Sequence, residues 1–362
     1  MLLGTGVPML FFRRKNRDAA EAVGAVQSEP VPAEEAPLAP GLLAVRDFES
    51  GHLRCRKCKA EVPLADFPPL RMASCPTCQT MNFMPLKVSH FWLFRPLGGG
   101  GMGSVYLAYD LEDPEQLFAA KVLFRSDDDR DSSIEALVNE SRVGKLLGGH
   151  PGLVACVASG YEANEYYSVM EYVQGKRLDK LIRWKGKLSE RHVLKIATQV
   201  LTANAHIYES GYLYRDLKPE NIIITAKGQA VLLDYGLCMA REDAKKALDE
   251  YVSGSPYYMP PERLWGVGED SYSEIYSLGM VMYYALTGRT YFDADEVESL
   301  ARRHISRIRL TAASKMREFR PELVDVLSKM VKQDYRERYQ TFEEVRVALR
   351  VLQHDLTRTG GK

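Results

Sequence analysis

The sequence predicts an α+β chain in two lobes, the first rich in strands and the second helical, preceded by a small module that needs a metal to fold. Three observations lead there. Between His90 and about Leu352, strand-like runs come first (Ser104–Tyr109, Leu117–Phe124, Tyr166–Tyr172) and amphipathic helical runs dominate after Leu178. Each layer type buries its apolar face against its own neighbours, which separates a strand lobe from a helical one. Four of the six cysteines fall in two close pairs, Cys55/Cys58 and Cys75/Cys78, within a stretch poor in apolar residues.

Composition narrows the function classes. The 362 residues allow two or three folded units. With Lys+Arg and Asp+Glu both at 48, no global field draws the chain to nucleic acid or an anionic membrane, and any such binding must come from a local patch. A hydrophobic fraction of 46% beside 27% charged residues excludes wholesale disorder, collagen and coiled coil. No apolar run reaches the roughly 18 residues of a membrane span. Sparse, clustered cysteines suit a reducing compartment, so a cytoplasmic location is expected. Met1–Phe12 is apolar, but its basic cluster (Arg13, Arg14, Lys15, Arg17) comes after the apolar part, the reverse of a signal peptide. A frayed tail and a weak surface anchor are the two readings of it.

In chain order, residues 1–50 read as a disordered segment and linker, with Pro30, Pro32, Pro37 and Pro40 removing backbone donors. Residues 51–88 hold the cysteines in the pattern C-x2-C-x16-C-x2-C. Two residues between thiolates let one tight turn present both sulfurs to a single ion, and two such turns complete a tetrahedral site. The segment resembles a zinc ribbon; iron is the chemical alternative, since a tetrathiolate accepts either, and two disulfides or free thiols are the remaining one. Four protein ligands leave no open coordination position, so Cys55, Cys58, Cys75 and Cys78 are expected to form a structural Zn2+ site. Arg54, Arg56, Lys57 and Lys59 flank the first knuckle and would meet an acidic protein or nucleic-acid partner, or form a solvated rim. The ribbon core is expected to be separate from the core of the two lobes. The last ten residues, 353–362, read as a disordered tail.

Residues 97–105 contain G-x-G-x-x-G-x-V at Gly98, Gly100, Gly103 and Val105. A dinucleotide fold would continue as a helix; here Val105–Tyr109 alternates as a strand, so the glycines cap a hairpin. Eighteen residues beyond Gly103, Lys121 sits inside an apolar strand, where an unpaired ammonium is costly. It needs partners, and the pattern resembles the strand lysine of protein kinases, which pairs with a carboxylate on the following helix; that run starts after Ser132 or Ser133 and offers Glu140, with Glu135 in reserve. Then comes Tyr214-Arg215-Asp216-Leu217-Lys218-Pro219-Glu220-Asn221-Ile222-Ile223-Ile224, and after it Asp234-Tyr235-Gly236.

With these motifs in order, the sequence resembles the eukaryotic-like protein kinase superfamily, most of all bacterial serine/threonine kinases, over about 260 residues (90–352; N-lobe 90–171, C-lobe 174–352). The resemblance implies a two-lobed protein kinase fold that transfers the γ-phosphoryl group of ATP to serine or threonine of protein substrates. It gives Asp216 the substrate hydroxyl, Lys218 the transition-state charge, Asn221 and Asp234 the Mg2+ (Mn2+ can substitute), and Lys121, paired with Glu140, the phosphates. Leu97, Gly98, Gly100 and Gly103 would cover the nucleotide, Val105, Ala119 and Ile223 would wall the adenine, and Met170, Glu171 and Val173 would form the hinge. Glu262, closing the segment from Gly254, would pair with Arg338. Arg215, which in related kinases grips a loop phosphate, would take phosphorylated Ser253 or the carboxylates of Asp249 and Glu250. A transient homodimer for autophosphorylation goes with such a loop. Three departures stand out: Tyr214 for histidine, Tyr235 for phenylalanine and Glu274 for aspartate. A pseudokinase scaffold that binds nucleotide without catalysis is the competing function, and it usually lacks a reacting residue that is present here.

Overall fold

Period-two burial along short strands builds the first half of the chain, and three- or four-residue spacing builds the second. The computed structural model describes residues 42–100, 103–113, 116–123, 130–246, 254–292, 297–305 and 315–359. The expected disorder of residues 1–41, and the expected roles of Asp249, Glu250 and Ser253, lie outside the described residues. The chain divides into two compact units, one from residues 42–148 and 154–174 and one from 149–153 and 175–359.

The first unit opens with helix α1 (Leu42–Glu49) and two cysteine hairpins, β1 (His52–Arg54) with β2 (Glu61–Pro63) and β3 (Met72–Ser74) with β4 (Met81–Phe83). Next is a six-stranded antiparallel sheet: β5 (Leu86–Val88), β6 (Phe91–Gly100), β7 (Gly103–Asp110), β8 (Leu117–Leu123), β9 (Cys156–Glu162) and β10 (Glu165–Glu171), in the order β5-β6-β7-β8-β10-β9. The glycine-rich stretch is indeed a hairpin, with Gly98 opposite Val105 and Gly100 opposite Gly103. Helix α2 (Arg130–Leu146) starts earlier than the serine cap suggested. Its Leu137, Glu140 and Val143, and Leu147 just beyond, are buried at helical spacing.

Two domain boundaries differ from the sequence reading. Residues 42–49, expected within the linker, form α1. Each three-residue hairpin strand buries only its central side chain (Leu53, Val62, Ala73, Asn82), too little for a core. The missing area is shared with the sheet. Leu70 and Phe83 pack with Leu86, Phe91 and Tyr106, and Phe48 of α1 packs both with the ribbon and against Trp92 and Tyr109, 5.4 and 6.4 Å away between ring centroids. Glu49 accepts from Trp92 Nε1 at 2.5 Å and pairs with Lys87 at 3.1 Å. The ribbon and sheet cores are therefore continuous, not separate.

The second unit has helices α3 (Leu178–Lys185), α4 (Glu190–Glu209), α5 (Arg241–Ala244), α6 (Pro261–Leu264), α7 (Ser271–Thr287), α8 (Val297–Ile305), α9 (Pro321–Met330) and α10 (Phe342–Thr359). It also holds a sheet of β11 (Gly175–Arg177), β13 (Ile222–Thr225) and β14 (Ala230–Leu232), and a pair, β12 (Tyr212–Leu213) with β15 (Met239–Ala240). Helix α7 is apolar and buried almost all round, as a central helix must be, and α4 and α9 pack on it. Asp270 caps it by accepting from the Ser271 amide at 2.8 Å, and Gly288 ends it at φ 69°. The second boundary correction is α10, which runs through 353–359, expected as tail. Leu352 is buried, and Gln353 Nε2 donates to the Leu194 carbonyl (3.1 Å) and Thr198 Oγ1 (3.0 Å) of α4. Among the described residues no helix is long and apolar enough to cross a membrane.

Candidate active site and metal centre

In the first unit, Lys121 lies on β8 opposite Val105 of β7 and Ser168 of β10, while Ala119 pairs with Met170. Directly paired residues share a face, as do residues two apart, so Val105, Ala119, Lys121 and Met170 all stand on one side of the sheet. Lys121 Nζ meets Glu140 Oε2 at 2.7 Å, with Glu140 buried and Glu135 exposed, which decides between the two candidates. Leu97 is partly exposed on β6 beside Gly98, where an added Cβ would meet nothing within 4 Å, so the backbone there is open to close approach. Glu171 ends β10, and Val173 lies two residues beyond it. Gly101 and Met102 lie outside the described residues.

In the second unit, the loop from Tyr214 to Asn221 runs between β12 and β13. Asp216 is buried, and its Oδ2 accepts from Lys218 Nζ at 2.7 Å and Asn221 Nδ2 at 2.8 Å. Asn221 Nδ2 also donates to the Asp216 carbonyl at 3.0 Å, which turns the amide oxygen to the opposite side. Asp216 Oδ1 is buried with no hydrogen-bond partner among the described residues. Burial, with Asp234 acting in the same direction, raises the Asp216 pKa above the usual carboxylate range, against the pull of Lys218 and Asn221. Asp234 takes φ 60°, and its Oδ1 accepts from the Gly236 amide at 3.1 Å. Ile223 lies on β13, paired with Arg177 and Val231. An amide oxygen and a carboxylate are the hard donors that Mg2+ takes, so Asn221 and Asp234 fit that ion.

The departures find roles. Tyr214 is buried edge-on to Tyr235 (6.3 Å between centroids), and its hydroxyl donates to the Leu233 carbonyl. Glu274 Oε1 accepts from the Arg215 amide at 2.7 Å, so the longer side chain still reaches the loop; burial lifts its pKa to about 7. Glu262 and Arg338 form the expected fork, at 2.7 and 2.9 Å. The sequence reading missed Arg215's partner: its guanidinium is held by Glu269, together with Arg263. Nothing in Gly266-Val267-Gly268-Glu269 marks that glutamate as buried.

The four cysteine sulfurs of Cys55, Cys58, Cys75 and Cys78 lie within 4.8 Å of one another, with Cys55–Cys78 and Cys58–Cys75 both at 3.6 Å. Thiolates about 2.3 Å from a tetrahedral Zn2+ sit roughly 3.8 Å apart, so the donor set fits the ion. The two knuckles repeat one geometry. Cys55 N donates to Ala60 O and Lys59 N to Cys55 O, just as Cys75 N donates to Thr80 O and Gln79 N to Cys75 O, and Lys59 and Gln79 both take positive φ, 61° and 59°. Asn82, which sequence reasoning missed, bridges them: its Nδ2 reaches Cys55 Sγ (3.7 Å) and Thr80 O, while its Oδ1 accepts from the Arg56 amide.

A strand lysine tied to a helix glutamate, together with a buried aspartate tied to a lysine and an asparagine, defines a protein kinase domain. The family model for that domain matches residues 91–356, and the chain belongs to this family. Serine/threonine-protein kinase PrkC of Bacillus subtilis is 33% identical over 257 residues, 70% of this chain and 39% of that protein. Serine/threonine-protein kinase PknB of Mycobacterium tuberculosis is 30% identical over 259 residues (70% and 41%), and a probable serine/threonine-protein kinase of Streptomyces coelicolor 32% over 257 (69% and 38%). The chain spans about two fifths of the length of these relatives.

Proposed function

We propose that the chain is an ATP- and magnesium-dependent serine/threonine protein kinase whose N-terminal ribbon is held by one structural Zn2+. The observation that carries the reading is the divided Asp216 carboxylate: Oδ2 is committed to Lys218 and Asn221, and Oδ1 has no hydrogen-bond partner among the described residues. Such an oxygen can accept the proton of a substrate hydroxyl while its neighbour fixes the plane of the group. Lys218 then offers its ammonium to charge developing on the transferred phosphoryl, and Lys121, kept upright by Glu140, does the same for the bound nucleotide. Magnesium held by Asn221 and Asp234 would neutralise phosphate charge when bound. Val105, Ala119 and Met170, on one face of the sheet, would supply apolar surface for adenine, and the hinge role of Glu171 and Val173 goes with it; Ile223 has its adenine role from the kinase resemblance alone. The Asp-Leu-Lys-Pro-Glu-Asn sequence and the names of the relatives favour serine and threonine over tyrosine. A cytoplasmic location accompanies this reading, since zinc thiolates persist where thiols stay reduced. The exposed Arg56, Lys57 and Lys59 on the first knuckle would serve an acidic partner.

The test is transfer of labelled γ-phosphate to casein by purified protein with Mg2+. Asp216→Asn should lower the rate by about 10² to 10⁴, and Lys121→Met should abolish it. Wild-type phosphorylation by Asp216→Asn, made in a host lacking other kinases, would defeat the assignment.

A further inference from the structure

Glu269 is fully buried and carries two guanidinium groups on one carboxylate. Its Oε1 accepts from Arg215 Nε (3.0 Å) and Nη2 (2.9 Å), and its two oxygens accept from Arg263 Nε (both 3.0 Å), with Arg263 Nη2 on Oε2 at 2.7 Å. Arg215, whose side chain is 8% exposed, has its remaining nitrogen, Nη1, on Met239 Sδ at 3.4 Å, so each guanidinium nitrogen has an internal partner.

Arg215 precedes Asp216, and its backbone is as constrained as its side chain. It takes φ 67°, a conformation that side-chain-bearing residues rarely adopt and that persists only where surroundings impose it. Its amide donates to Glu274, and its carbonyl accepts from Arg263 Nη1 at 2.7 Å. Glu269 thus reaches the strained residue twice, directly through the guanidinium and again by orienting Arg263. The loop that carries it also grips the chain downstream of Asp234. Glu269 N donates to the Ala244 carbonyl at 2.7 Å, Lys245 pairs with Asp270 at 3.2 Å, and a Cβ on Gly268 would stand 2.2 Å from the Lys245 carbonyl oxygen, so only glycine fits there.

We propose that Glu269 is a positioning residue for phosphotransfer: by holding Arg215 and Arg263 it sets Asp216 without any phosphate between Asp234 and Glu262, so the unphosphorylated chain is already competent. That stretch contains no threonine, and Ser253 and Ser255 are its only serines. A phosphate added there would find the Arg215 donors occupied by a fixed carboxylate. The inference rests on the kinase reading above and assigns it a mode of control.

The experiment compares initial rates of phosphoryl transfer to casein. Wild-type protein co-expressed with a phosphatase, and found phosphate-free by mass spectrometry, should keep its kcat within about threefold of the phosphorylated form. Glu269→Gln, which keeps the shape and loses the charge, should lose at least tenfold in kcat with KM for ATP changed less than threefold. Glu269→Asp should recover part of the loss. Because a merely structural role lowers the active fraction, and with it the apparent kcat at unchanged KM, kcat is expressed per nucleotide-binding site titrated in the folded protein; a loss that vanishes on that basis overturns the proposal. Wild-type kcat in folded Glu269→Gln, or a loss of tenfold or more on removing phosphate from the wild type, overturns the proposal; the second arm needs no variant and decides the matter even if Glu269→Gln does not fold. Wild-type activity in Asp216→Asn, run alongside, would instead defeat the kinase assignment and this inference with it.

Discussion

Replacing Arg338 with methionine removes a fully buried cation that makes five hydrogen bonds while keeping most of its volume. Arg338 has no exposed side-chain surface, and neither has Glu262, which it grips at 2.7 and 2.9 Å. The guanidinium also donates to the carbonyls of Lys332 (2.5 Å), Gln333 (3.0 Å) and Tyr272 (3.1 Å) and lies 4.5 Å from the Tyr276 ring centroid. Its loss leaves Glu262 as a buried carboxylate with Ser273 Oγ still donating at 2.6 Å, and deprives three carbonyls of a donor. Breaking a buried pair by removing one partner costs about 3–5 kcal/mol. The carbonyls turn toward water as the site relaxes, so their separate costs of about 1–3 kcal/mol do not simply add. Taking about 4 kcal/mol, and about 2–4 °C per kcal/mol for a unit of this size, the melting temperature should fall by about 8–16 °C. Urea unfolding and calorimetry measure both figures. Glu262→Gln combined with Arg338→Met should cost less than the two single changes together, because neither partner then strands the other's charge. A fall under about 1 kcal/mol for Arg338→Met would refute the reasoning, since a fully desolvated fork cannot be removed so cheaply.

Glu274 and the cysteine cluster give two other expectations. Burial lifts the Glu274 pKa from 4.5 to about 7, so between these values the folded state binds more protons than the unfolded one and stability falls as pH rises, by about 3 kcal/mol in all; this contribution is complete below pH 4.5 and gone above 7. Glu274→Gln should flatten that slope in urea titrations at pH 5 and pH 8, and an unchanged slope would count against the assignment. Freshly purified protein should hold one zinc per chain by elemental analysis, and a zinc-selective chelator should lower both the melting of the strand unit and phosphotransfer, because Leu70, Phe83 and Phe48 belong to both packings. Chelation that leaves Trp92 fluorescence and melting as they were would show that the ribbon contributes nothing to the sheet.

The sequence made legible what depends on residue type at short spacing. The cysteine knuckles, the hairpin at Gly98–Gly103, the Lys121–Glu140 pair and the Glu262–Arg338 fork each need particular side chains at fixed separations, and all four are found as geometry. What stayed hidden depends on partners distant in the chain. Helix α1 was obscured by the proline-rich composition before it, and its stability comes from Trp92 and Lys87, more than 35 residues away. The end of α10 looks polar from Gln353 onward, yet Gln353 bonds α4 from 155 residues away. Asn82 reads as an ordinary polar residue until Cys55 and Arg56 are placed against it.

Glu269 was hidden for a related reason, and its case bears on how the catalytic loop persists. Two side-chain-bearing residues of the candidate site, Arg215 (φ 67°) and Asp234 (φ 60°), sit where left-handed backbone costs about 1–3 kcal/mol each. A sequence rule based on local preference would place glycine at both. The strain is borne because the surroundings fix the loop from several directions. Glu274 holds the Arg215 amide, Arg263 holds its carbonyl, the Tyr214 hydroxyl holds the Leu233 carbonyl, and the Leu233 amide reaches back to Asn221 O at 2.9 Å. Each restraint comes from a buried polar group that would itself be costly without its partner. The network must therefore form as a whole, and a carboxylate at Glu269 is what allows two guanidinium groups to be buried within it. Local preference fails at these positions because the backbone next to each candidate catalytic carboxylate is set by tertiary bonds.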